Sequence, residues 1–226
     1  DIVLHSRFDP DDIGKEKGVV TEEILMTSDS PEDVAHDALC TLLFEGTPLE
    51  KPILGSAQTV AAFTREGIGS YMDSLYRAGD IVISCAGSFE HDALISLLEE
   101  RFSDIPAGGG RARRAGSYGP GRRVRFCEKD VEQTHICIGL PGMSAEDDRR
   151  YAMLVLNNAV GGSMSSRLFQ KVREEMGLAY SIYSYPTSYA DTGYFALYAG
   201  TGTDTAAKVA GLMLDELAQL DAELAR

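Results

Sequence analysis

Apolar and polar positions along the chain fall into helical and strand-like stretches that are mixed without strict alternation. Asp9-Pro10 sets an N-cap aspartate before a proline at the first helical position, which predicts a helix from Pro10 to Met26. Ser30-Pro31-Glu32-Asp33 repeats the signal, and Gly46 closes a second helix over VAHDALCTLLFE. Further helices are expected over Thr64–Tyr76 and His91–Phe102, with DIVISCAG between them reading as a buried strand. From Pro106 to Arg123 the chain runs PAGGGRARRAGSYGPGRR, with no apolar periodicity and much Gly and Arg, as a linker would. Strands near VRFCE and THICIGL follow, then helices over Ala145–Val160 and Ser163–Glu175. AYSIYSYPTSY and GYFALYAGT form a hairpin joined by Ala190-Asp191-Thr192, and a last helix runs from Asp204 to Leu224. The pattern predicts an α+β architecture with helices on one sheet face. It divides into residues 1–105, a Gly/Arg-rich linker 106–123, and residues 124–226 with about four strands. One strand in the first hundred residues cannot complete a sheet, so the first domain is expected to lack its N-terminal part.

Composition narrows the picture. A length of 226 residues exceeds the usual single core and fits two domains. No apolar run approaches the roughly 18 residues of a membrane span, and the start, DIVLHSRFDP, does not read as a signal peptide. A net charge of −14 argues against nucleic acid and favours basic or neutral partners. Cys40, Cys85, Cys127 and Cys137 form no CxxC, and Cys85 and Cys137 lie in apolar runs. Buried, reduced thiols and a cytoplasmic location are therefore expected.

Candidate chemistry is sparse. In KEKGVVTEEIL, Glu16 and Glu23 stand seven residues apart on one helix face, about 10 Å apart along the axis. In a chain this acidic, a solvated helix face is the default reading of such a pair. His5, His36, His91 and His135 lie at no ligand spacing and read as surface or partly buried structural histidines. The run Gly161-Gly162-Ser163-Met164-Ser165-Ser166 lacks the last glycine of G-x-S-x-G and reads as a break between helices, with serine hydroxyls capping the second. No phosphate-loop glycine pattern occurs. In SSRLFQKVREEMGLAYSIYS, Arg173 falls in a last helical turn, Gly177 caps it and Tyr180 opens a strand. That junction is either a surface Arg beside a strand tyrosine, or a pair of donors for a backbone carbonyl or an oxyanion.

KEKGVVTEEIL, SPEDVAHDAL, PILGS, GGSMSSRLFQKVREEMGLAYSIYS and DTGYFALYAGT together resemble the insulinase/pitrilysin family, in order and spacing over essentially the whole chain. The likeness is to its mitochondrial processing peptidase branch and bacterial homologues. The resemblance implies a Zn²⁺-dependent metalloendopeptidase built from tandem homologous α/β-roll domains, with a mixed, mostly antiparallel sheet. In that family an inverted H-x-x-E-H motif supplies two His ligands and a Glu base. A later glutamate is the third ligand, matched here by Glu23, with Glu16 matching a supporting carboxylate. Arg173 and Tyr180 match an Arg/Tyr pair that meets substrate from the partner domain. Only 22 residues precede Glu23, so H-x-x-E-H is not in this chain. The resemblance thus implies a fragment: the end of the zinc domain and most of its repeat, itself C-terminally incomplete, and inactive alone. A peptide or unfolded polypeptide substrate is implied, and a homo- or hetero-oligomer is possible. The alternative is a non-catalytic structural or substrate-presenting subunit of the same family.

Overall fold

The computed structural model describes residues 2–110, 116–119, 121 and 123–224; part of the expected linker, 111–115, 120 and 122, lies outside the described residues. The chain forms two compact units: Asp1–Glu23 with Gly55–Arg113, and Ile24–Leu54 with Arg114–Arg226. The first helix, α1 (Pro10–Asp29), starts where the Asp9 carboxylate accepts from Asp11 N at 3.0 Å. In α2 (Pro31–Leu43), Ser30 Oγ accepts from Asp33 N, and Gly46 follows its end at φ +81°.

The first unit continues with α3 (Ala57–Ala61), closed at its start by reciprocal Ser56 and Thr59 bonds, α4 (Arg65–Leu75) and α5 (His91–Phe102). DIVISCAG is not a strand here: residues 81–86 join no sheet, and Val82 is 94% exposed. A strand needs a partner, and this unit has none among the described residues. Residues 106–110 lie against the turn Ala78–Asp80, with Gly79 N donating to Gly108 O at 2.8 Å and Gly110 N to Asp80 Oδ1 at 2.8 Å. The approach is so close that a side chain at Gly79 would meet Gly108 O at 2.7 Å.

In the second unit, β1 (Thr134–Pro141), β2 (Ala179–Ser188) and β3 (Gly193–Thr201) form an antiparallel sheet in the order β1-β3-β2. VRFCE contributes no strand, so three form rather than four, and Phe126 is left exposed. The hairpin forms as expected, with Ser188 opposite Gly193. Period-two alternation sends Phe195, Leu197 and Ala199 to one face and Tyr194, Ala196 and Tyr198 to the other. On the first face pack α6 (Arg150–Val160), a π-turn (Phe169–Glu175) and α7 (Ala206–Leu224), through Val160, Leu168, Val172, Val209 and Met213. On the other, α2 brings Leu39 and Phe44 against Tyr194 and Ala196. The class is α+β, and in this unit helices cover both sheet faces.

Two expectations are corrected locally. The sixth helix starts at Arg150 rather than Ala145, because Asp147 gathers Arg149 N and the Arg149 guanidinium into a turn of its own. Cys85 is exposed rather than buried because its strand does not form, while Cys137, on β1, is half-buried; all four thiols are free. Among the described residues no helix is long and apolar enough to cross a membrane.

Candidate functional site

Glu16 and Glu23 both lie in α1 and both are exposed. Among the described residues neither carboxylate has a hydrogen-bond or salt-bridge partner, and no three His, Cys, Asp or Glu side chains converge to hold a metal ion. A protein zinc site takes three or four side-chain ligands. Glu23 offers one carboxylate, so the described residues do not by themselves form a zinc site.

The second unit places Arg173 and Tyr180 together by two local irregularities. The first is the π-turn, in which Met176 N donates to Lys171 O at 3.2 Å and Leu178 N to Val172 O at 2.9 Å, longer loops than an α-helix makes. Gly177 ends it at φ +61°, a left-handed conformation favouring glycine, with its N–H on Arg173 O. The second is a β-bulge: Ala179 faces Thr201 and Ser181 faces Gly200, so Tyr180 is the extra residue. The bulge lets Ala179 and Ile182, three apart, both enter the core, and it leaves Tyr180 77% exposed. Its ring lies 4.8 Å from the Arg173 guanidinium carbon, with Phe169 stacked 4.7 Å from the same group. Among the described residues Arg173 has one ionic neighbour, Glu174, at 3.6 Å. Among the described residues neither the guanidinium nor the Tyr180 hydroxyl makes a hydrogen bond, so both retain donors for a ligand. Cation–π stacking fixes where those donors sit without consuming them. π-turns and bulges both recur at functional sites, where they re-aim side chains.

The serine run does not cap this turn. Gly161 ends α6, and the π-turn has no side-chain cap at its start; the buried Ser166 supplies its backbone carbonyl to Gln170 N instead. Sequence reasoning missed two clusters. The carboxylate of Glu216, on α7 and almost fully buried, accepts from Arg167 Nε at 2.9 Å and from Lys171 Nζ. Burial acts to raise its pKa, but the hydrogen bonds from Lys171 and Arg167 outweigh it and leave it lowered. The other cluster surrounds His36 of α2. Tyr185 lies 2.6 Å from Nδ1 and Tyr183 3.1 Å from Nε2, with the Tyr183 hydroxyl donating to Glu32 and Cys137 Sγ 3.4 Å from Nδ1. With Tyr183 donating to Glu32, Nε2–H donates to Tyr183; burial favours the neutral imidazole, in which Nδ1 accepts from Tyr185. Burial lowers the His36 pKa against the pull of Glu32, Asp33 and Asp37, and pushes the Cys137 thiol up to about 12. Partners so far apart in the chain leave no local spacing to read.

Comparison with known proteins agrees with the sequence resemblance. Residues 62–225 match the model of the peptidase M16 inactive domain. The chain is 40% identical over 222 residues to an uncharacterized zinc protease, YmxG, of Bacillus subtilis, covering 97% of this chain and 53% of that protein. It is 38% identical over 224 residues to an uncharacterized zinc protease of Streptomyces coelicolor, covering 96% and 49%. The chain therefore spans about half the length of these relatives. In fold it is similar to a peptidase M16 inactive domain from Pseudomonas fluorescens, with a TM-score of 0.88 at 22% identity, covering 96% of this chain and 53% of that one. A protease from Helicobacter pylori superposes with a TM-score of 0.76 at 18% identity, covering 90% and 52%. The match to the family model over most of the chain, together with two relatives near 40% identity, places this chain in the M16 peptidase family.

Proposed function

We propose that this chain is the substrate-holding part of an M16 zinc metalloendopeptidase of the processing-peptidase type, acting on a peptide or unfolded polypeptide. The observation that carries the reading is the Arg173–Tyr180 pair, stacked together with its donors uncommitted. A guanidinium and a phenol on a rigid junction can donate to a substrate carbonyl, and to the oxyanion that forms as the carbonyl is attacked. Glu23 is this chain's single contribution to the zinc site, with Glu16 supporting it on the same helix face, and the remaining ligands and the base are outside the chain. Residues 1–105 are, on this reading, the remainder of the zinc domain and residues 124–226 its repeat.

The test uses the intact protein, a fluorogenic peptide and atomic absorption. Arg173→Ala and Tyr180→Phe are expected to lower kcat/KM, by about 10²-fold for a lost oxyanion donor, with bound zinc unchanged. Metal loss in either variant, or undiminished turnover in both, overturns the assignment. Glu23→Gln is expected to lose zinc while Glu22→Gln keeps it, and equal behaviour of the two sinks the ligand role. The match to an inactive domain favours one second reading, a non-catalytic subunit that presents polypeptide through the same pair. Stoichiometric zinc with peptide turnover in the intact protein removes it.

A further inference from the structure

We propose that Glu216 is a positioning residue for Arg173, holding the π-turn in the register that sets the guanidinium against Tyr180. The inference rests on the reading of Arg173 and Tyr180 as substrate contacts. The turn has two faces of different character. Arg167 and Lys171, four apart, both reach the Glu216 carboxylate on α7. Phe169 and Arg173, also four apart, stack together with Tyr180. Between the two faces, Leu168 and Val172 are fully buried in the core.

A π-turn holds one residue more than the α-helical path, and its hydrogen bonds are less favourable, so it persists only where its surroundings hold it. Relaxing it to α would rotate one side of the turn against the other by about 100°. Arg173 would then leave Tyr180, or Arg167 and Lys171 would leave Glu216. Apolar packing by Leu168 and Val172 fixes depth but tolerates small rotations, whereas two directional bonds to one buried carboxylate do not. Buried ion groups are weak contributors to net stability, and an apolar replacement is often as stable. Fixing an orientation is the role that remains. Lowered protonation keeps the carboxylate charged at neutral pH, where it holds both cations.

The test reads Arg173 directly. In the chain as it stands, the Arg173 Nε–Hε NMR resonance is expected to be displaced by the ring currents of Phe169 and Tyr180, which flank the guanidinium. A Phe169→Ala/Tyr180→Ala double variant supplies the undisplaced value. In Glu216→Gln the resonance is expected to move to that value while the amide resonances of β3 stay in place, and Lys171→Arg should retain the displacement. Should Glu216→Gln fail to fold, Lys171→Met decides in its stead, since it removes one donor and leaves Arg167 on the carboxylate. An Arg173 resonance unchanged in a folded Glu216→Gln or Lys171→Met variant overturns the proposal. In the intact protein, the same variants should lower kcat/KM about tenfold with zinc unchanged, and unimpaired kcat/KM would overturn the functional half. If Arg173→Ala itself leaves kcat/KM intact, the substrate reading fails, and the resonance still decides the positioning.

Discussion

Every residue of β3 in the second unit is buried, and ten buried side chains there close one core between the sheet and its helices. In the first unit Val60 is the one buried apolar side chain among the described residues, while Phe63, Tyr71, Val82, Ile83, Phe89, Ile95 and Leu97 are exposed. Both regions form helices where the local signals call for them. The first does so without a core: α1, α4 and α5 have no buried residue at all. Capping and propensity suffice to shape a helix, but most helical stability in proteins comes from burying a face. The second unit therefore has the rigidity to hold a guanidinium against a phenol. The first presents its carboxylates on a helix with no buried residue.

The largest effect that would break this comparison is in hydrogen exchange. Helices of 11 and 12 residues, as α4 and α5 are, are marginal in water unless packing supports them. Their amides should open locally, while those of β3 should need opening of the whole unit. A global stability of 5 kcal/mol or more corresponds to a protection ratio of at least about 10³ between β3 and α5. Comparable protection in the two would show that the first unit is stabilised by more than the burial seen here.

A smaller effect tests whether the second unit's other sheet face is as specific as its core. His36 stays neutral among Tyr183, Tyr185 and Cys137, with Glu32, Asp33 and Asp37 of its own helix nearby. Its folded pKa is depressed below 6.5, so the unfolded chain binds its proton first as pH falls. The stability from neutral burial is therefore complete above pH 6.5 and is lost as pH falls from there through the folded pKa. The slope is at most one proton, about 1.4 kcal/mol per pH unit. With ten tyrosines and no tryptophan, near-UV circular dichroism of tyrosine follows the transition under urea. His36→Gln should flatten this part of the profile, and an identical slope in the variant would show that His36 is not the group responsible.

What was legible in the sequence follows the same division. Ser30-Pro31 and Asp9-Pro10 fixed helix starts because an N-cap acts within one turn, and the β2–β3 hairpin was readable because its loop is short. DIVISCAG and VRFCE misled because an apolar run records a tendency to pair, and a ladder depends on a partner that the run does not specify. At the candidate site, Gly177 announced the end of the turn, but nothing local announced its extra residue. Glu216 reaches Lys171 and Arg167 from 45 and 49 positions away, so only the packing of α7 reveals that contact. Glu23 was singled out by resemblance, since its spacing from Glu16 alone is shared by any acidic helix face.

The smallest effect separates what α1 needs for folding from what it carries for function. Glu23 has Val19, Val20, Met26 and Thr27 at its three- and four-residue neighbours, so no charge lies where a helical pair would form. Glu16 faces Asp12 four residues earlier, a like charge, and Asp12 already pairs with Lys15 at 3.0 Å. Removing the charge at Glu23 should then change the stability of this chain by less than about 0.5 kcal/mol, as for an ordinary surface site. Removing it at Glu16 should stabilise α1 by about 0.2–0.5 kcal/mol, through relief of the repulsion from Asp12. Urea unfolding of Glu16→Gln and Glu23→Gln, followed by far-UV circular dichroism, measures both. A loss above 1 kcal/mol in either would give that carboxylate a structural duty on α1, and its place on the helix face would need no metal to explain it. With both near zero, α1 folds without them, and any loss of zinc or turnover from the same substitutions in the intact protein can be assigned to the site itself.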